Sequence, residues 1–178
     1  MLVCASLGLS AQPRFPVYLD GAQFQEDEFS NRVEFYYSIP DTIMTYKAKA
    51  GQFLGEAFFM LELTAQNEKP IYIKWIVENT SNTQKIENPG ILTSQKNIVL
   101  NKGDYLCKLY VYDYADTSRN VVINFPLKVI PFSRESVQIS NIELVRSVKT
   151  YDEAGPTRNK LFDKSGKSLT PMPSCFIA

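Results

Sequence analysis

The most distinctive surface chemistry in this sequence sits in five side chains: Tyr72, Lys74, Lys108, Tyr110 and Tyr112. Tyr72 and Lys74 share a parity along residues 71–77, and Lys108, Tyr110 and Tyr112 share one along residues 105–112. If both stretches are strands, each set stands on one face, because successive side chains of a strand point to opposite sides. Tyrosines in a row bring large contact area at low entropy cost, so they can anchor a protein partner or stack on sugar rings. The same residues also suit a plain outer sheet face, or one packed on a further domain of the same protein.

Catalytic chemistry finds little to work with. The chain has no histidine, which removes Ser-His-Asp and Cys-His catalysis and every His-ligated metal site. Cys4, Cys107 and Cys175 have no metal-ligand spacing and are odd in number. Asp113 and Asp116 fall in one hairpin loop, where turn chemistry favours Asp, and not in the paired arrangement of a glycosidase. No serine has the Gly-x-Ser-x-Gly setting of a hydrolase nucleophile. Glu26, Asp27 and Glu28 could offer oxygens to calcium, but a solvated loop is the simpler reading. The expectation is a protein without enzymatic activity, cofactor or metal.

The elements that must position the tyrosines follow from residues 102–113. Tyr105, Cys107, Leu109 and Val111 alternate with Leu106, Lys108, Tyr110 and Tyr112, which predicts a strand with one side in a core. Lys102-Gly103-Asp104 supplies the turn before it. The spacing Gly-Asp-Tyr-x-Cys matches the start of strand F in immunoglobulin-like sandwiches, where a tyrosine two residues before the core cysteine bonds back to the backbone. Trp75 lies in a segment suited to strand C, and residues 58–63 suit strand B. Leu61 then stands where an antibody domain has its first cysteine, so Cys107 becomes a buried free thiol acting as a small hydrophobe. Strands C and F are neighbours in that fold, which would bring the two tyrosine sets together. Pro126 cannot donate to a ladder, so residues 121–130 should form an edge strand. Residues 16–24, 33–39, 43–46 and 94–100 read as further strands. The fold class is all-β, an immunoglobulin-like or fibronectin-III-like antiparallel β-sandwich.

Composition supports this reading. With 44% apolar residues, 11 Phe and 10 Tyr, a core can hold without disulfides. A net charge of zero leaves no basic patch for phosphates, so nucleic acid is not an expected partner. Residues 1–11 are apolar, end in small residues and read as a signal-peptide remnant. They are too short for a transmembrane span. The expected organisation is the remnant at 1–11, the sandwich at 12–134, and a linker with the start of a truncated second domain at 135–178.

The order of three segments resembles a known family. Val33-Glu34-Phe35-Tyr36-Tyr37-Ser38-Ile39-Pro40, then Gly103-Asp104-Tyr105, then Ser140-Asn141-Ile142-Glu143-Leu144, look like the N-terminal region of bacterial GWxTD domain-containing proteins. The resemblance spans roughly residues 15–175. The Gly-Trp-x-Thr-Asp signature is absent here; in the family it lies further toward the C-terminus. The resemblance implies an exported, periplasmic or extracellular protein from a largely uncharacterised family, with no catalytic residues to carry over. Its expected partner is another protein or its own missing C-terminal domain, with a glycan as the alternative.

Overall fold

The structure, a computed structural model, describes residues 15–130, 132, 139–143, 145–156 and 162–171. The expected signal-peptide remnant, Cys4 and Cys175 lie outside the described residues. The chain runs through β1 (Tyr18–Gln25), β2 (Ser30–Pro40), β3 (Lys47–Lys49), β4 (Gln52–Ala65), β5 (Ile71–Ser81), β6 (Ile91–Asn101), β7 (Gly103–Asp113) and β8 (Asp116–Val129). Then come β9 (Val145–Thr150), the short helix α1 (Tyr151–Ala154), β10 (Asp163–Lys164) and β11 (Lys167–Pro171). Every described strand pair is antiparallel.

Two sheets pack face to face. One has the order β1-β2-β6, and the other runs β5-β4-β7-β8 with β3 beside the start of β4. Alternation explains which side chains meet between them. Val33, Phe35, Tyr37 and Ile39 of β2 face Phe59, Leu61 and Leu63 of β4 and Cys107, Leu109 and Val111 of β7, all in one buried cluster. Aromatic rings bridge the sheets: Tyr37 to Phe59 at 4.9 Å and Phe35 to Phe125 at 6.1 Å. The protein is an all-β antiparallel sandwich, with the strand order of a fibronectin-III-like domain.

The predicted strand identities need one correction. Residues 58–63 were expected as strand B and Trp75 on strand C, next to strand F. Instead β4 pairs with both β5 and β7, so β4 holds the central place and β5 lies one strand further out. The strand in the B position is β2, and Leu61 sits opposite Leu109 within its own sheet. The reason lies in the inward residues. Ala57, Phe59, Leu61 and Leu63 are all fully buried, as a central strand requires, whereas β5 turns in a half-buried Trp75 suited to an edge. Residues 43–46 also differ from the expected strand. Asp41–Ile43 form a single 3-10 turn, and Asp113 draws Thr45 out of any ladder by accepting from its N–H at 2.9 Å and its Oγ1 at 2.5 Å.

The corner before β7 has the expected form. Tyr105 Oη donates to the Asn101 carbonyl at 3.0 Å, tying the start of β7 to the end of β6. Gly103 leaves room for that ring, since a Cβ there would lie 3.3 Å from Tyr105 Cε2. Pro126 lies on β8, an edge strand whose ladder partner is β7.

Residues 145–171, expected as linker and the start of another unit, contain a three-stranded sheet of order β10-β11-β9. It meets the outer side of β2. Lys164 Nζ lies 2.6 Å from Glu34 Oε2, 2.6 Å from Glu143 Oε2 and 2.7 Å from Tyr36 Oη. Asn141 is joined to Gln23 of β1 by bonds of 3.1 and 3.3 Å. Glu34, Tyr36 and Ser38 are therefore buried although they point away from the core.

Candidate functional site

The outer face of the sheet containing β4 and β7 holds all five of the singled-out side chains. Register places them in rows across the sheet, with β4 between the two sets and not side by side as expected. Tyr72 lies opposite Glu62, which lies opposite Lys108. Lys74, Met60 and Tyr110 form the next row, and Ile76, Phe58 and Tyr112 the one after. The centre of the face therefore comes from β4 residues, Phe58, Met60 and Glu62, which lie outside the tyrosine pattern. The signal was present: residues 57–63 are apolar at nearly every position, as in a strand covered on both sides.

The face is apolar where it meets solvent. Leu106 is 72% exposed, Tyr72 53%, Ile76 45% and Val122 43%. Such residues scattered singly need no explanation, but these lie on three strands of one face, β5, β7 and β8, with Met60 and Phe58 of β4 in the rows between them. Phe58 and Tyr112, cross-strand neighbours, stack on each other with ring centroids 4.8 Å apart. Lys108 Nζ lies 4.7 Å from the centre of the Tyr110 ring. The hydrogen bond that Lys108 donates to the Tyr110 hydroxyl is the main cause that raises its pKa, with Glu62 adding to it against some desolvation, so Lys108 is charged at neutral pH. Chemically, the arrangement offers aromatic and aliphatic area interrupted by charge, with Lys74 on the edge strand β5 and Lys108 beside Glu62 within the face.

The inward residues have other roles. Trp75 stacks on Phe59 at 5.1 Å and donates from Nε1 to Tyr37 Oη at 3.0 Å, joining the two sheets near an edge. Cys107 is buried and free, and desolvation pushes its thiol up to about 12, where it cannot act as a nucleophile at neutral pH. The indole and the thiol belong to the same core but not to the same row. Trp75 shares a row with Phe59 and Val111, whereas Cys107 sits opposite Leu63, four residues further along β4.

Other polar groups are committed to structure. Asp27 Oδ1 accepts from the N–H groups of Phe29 and Ser30, both at 2.8 Å, and these bonds hold its carboxyl below the usual range. The acidic loop thus uses Asp27 to close its turn. Asp113 is fully buried and accepts from Thr45, Ala115 and Arg119. A cleft of about 560 Å³ opens between β6 and the small sheet, lined in part by Ser38, Thr93, Ser147, Thr170, Arg146 and Lys149. Its hydroxyls pair with one another, Ser38 with Thr93 at 2.8 Å and Ser147 with Thr170 at 3.0 Å. Among the described residues no three His, Cys, Asp or Glu side chains gather as for a metal ion, and no helix is long and apolar enough to cross a membrane.

No family model, curated protein or solved structure matches the chain.

Proposed function

We propose that this chain is a non-enzymatic contact module of an exported bacterial envelope protein, and that it binds a protein surface through the outer face of the β5-β4-β7-β8 sheet. One observation carries the reading: Leu106, Tyr72, Ile76 and Val122 are solvent-exposed on one face, from β5, β7 and β8. A two-layer sandwich ordinarily turns polar residues outward, and apolar side chains exposed on a face that also carries a few charges are what an interface offers. The partner is a largely apolar protein surface with acidic groups facing Lys74 and Lys108, either on another polypeptide or on a further domain of the same protein. Export and the family assignment rest on the resemblance to GWxTD domain-containing proteins. The absence of catalysis is supported by Asp113, whose carboxylate is enclosed and taken up by donors.

Glycan binding is the competing use of the face. The exposed ring of Tyr72, with Tyr110 and Tyr112 on the same face, favours it, because tyrosine rings can stack on a sugar. A photo-activated cross-linking residue at Leu106, in the full-length protein inside the cells that make it, separates the two. A cross-link to one defined protein segment, absent from a control at Thr117, is the expected result. Labelling at Leu106 no greater than at Thr117 would overturn the protein reading. Glycan-array binding that disappears when Tyr72, Tyr110 and Tyr112 become Ala would replace it with the second.

A further inference from the structure

We propose that two copies of this chain pair through the free edge of β5, antiparallel and centred on Ile76, to make one continuous sheet across a two-fold axis. This concerns the edge of the sheet and does not depend on what its outer face binds.

The edge is built to pair. Among the described residues β5 is bonded only to β4, along an unbroken register from Ser81 to Ile71. That leaves one side of an eleven-residue strand with open N–H and C=O groups. Residues 71–77, Ile-Tyr-Ile-Lys-Trp-Ile-Val, are β-branched or aromatic at all but one position. Edge strands that must stay single are usually short, bulged or broken by proline. The opposite edge of the same sheet follows that practice, since β8 carries Pro126. β5 is long, has no bulge or proline, and carries only charge as a safeguard, in Lys74 and Glu78, which are of opposite sign.

Charge selects the occupant and the register. A two-fold axis normal to the sheet sets each residue opposite one of its own parity, so the outer face stays outermost. Centring the pair on Lys74 would set lysine against lysine. Centring on Trp75 would set Glu78 against Tyr72 and Lys74 against Ile76. Centring on Val77 would set Glu78 against Ile76. Centring on Ile76 sets Lys74 opposite Glu78 of the second copy, and symmetry repeats that pair. The same register sets Trp75 against Val77 and Tyr72 against Thr80.

An unfavourable contact within the chain points the same way. Glu78 lies directly opposite Glu56 in the β4–β5 ladder, and like charges in that position repel. Among the described residues neither Lys74 nor Glu78 has an ion-pair partner. Lys74 of a second copy would stand on the open side of Glu78 and offset that repulsion. Each dimer would satisfy two such glutamates.

Sedimentation equilibrium of the full chain over a range of concentrations tests this. The unmutated protein is expected to be a reversible dimer. Lys74→Glu and Glu78→Lys should each raise its dissociation constant about tenfold, because two attractive cross-strand pairs become repulsive. The double variant, with the charges exchanged, should recover most of the lost affinity. Unchanged thermal midpoints in dilute solution show that the variants fold. A monomer at every concentration, a dimer that ignores the single changes, or a double variant weaker than either single would each overturn the proposal. Cross-linking from Leu106 on β7 reads a different contact, so either result can fail without the other.

Discussion

The outer faces of the two sheets have been treated in opposite ways. On the β1-β2-β6 side, Asn141 bonds to Gln23 of β1, and Lys164 and Glu143 form a largely buried ionic cluster with Glu34 of β2. On the β5-β4-β7-β8 side, Leu106, Tyr72, Ile76 and Val122 meet solvent. The covered side uses charge: Lys164 sits between Glu34 and Glu143, over the rings of Phe24 and Tyr36, with Arg32 3.2 Å from Glu34. The bare side uses aromatic and aliphatic area. Buried ion pairs stabilise only when their geometry is specific, so they suit a permanent contact within one chain. Apolar area tolerates more than one geometry and suits a surface that meets something else. The difference separates a face already occupied from one still available.

Removing the cation from the covered face should have the largest effect. Lys164→Met leaves Glu34 and Glu143 buried without their shared partner and should cost about 3 kcal/mol in urea denaturation. The β9–β11 region should also become sensitive to protease in the folded protein. Adding Glu34→Gln to that variant should return part of the loss. A cost below about 0.5 kcal/mol, the range of ordinary surface changes, would mean that the cluster does not hold this layer in place.

Acid and alkali should act next, through the same cluster. Desolvation pushes the Glu34 carboxyl up, but bonds from Lys164 and Tyr36 and the charges of Lys164 and Arg32 outweigh it, so its pKa lies below the usual 4.5. A carboxylate with a lowered folded pKa contributes stability that is full above about that pH and falls away in more acid solution. Tyr36 shifts the other way. Desolvation first, then Glu34 and Glu143, raise its pKa above the ordinary 10.0, so its contribution is full below that pH and is lost as pH climbs further. Urea midpoints across pH should show both limbs. Glu34→Gln should flatten the acid one, and an unaltered acid limb would locate the effect elsewhere.

The bare face should respond least. Leu106→Lys removes no buried contact and should shift stability by less than about 0.5 kcal/mol. A loss of 1 kcal/mol or more would show that the face is structurally committed after all, and the contrast between the two sheets would weaken.

The sandwich was legible because its core strands alternate. Tyr105, Cys107, Leu109 and Val111 needed only period two, and the corner tyrosine needed only its spacing from Cys107 and the turn before it. Strand neighbours were less legible. β4 and β5 are both apolar and adjacent in sequence, and nothing local says which of them pairs with β7. Parity along each strand puts the five candidate residues on one outward face, but Phe58 and Met60 between them carry no such signal because β4 is apolar on both parities. Lys164 falls in the stretch whose sequence suggests a linker and the start of another domain. Its partners Glu34 and Glu143 lie 130 and 21 residues away, and no local pattern reaches that far.

The sequence by itself determined which residues point inward, since backbone geometry obliges side chains of a strand to alternate. It also determined that no histidine-based chemistry is available. Only the tertiary structure decided which outward faces stay outward. Glu34 and Tyr36 became interior when distant residues supplied a cation, whereas Leu106 and Tyr72 remained in solvent because no described segment reaches them. Burial of an outer face depends on contacts between residues far apart in the chain, and those contacts exist only once the chain has folded.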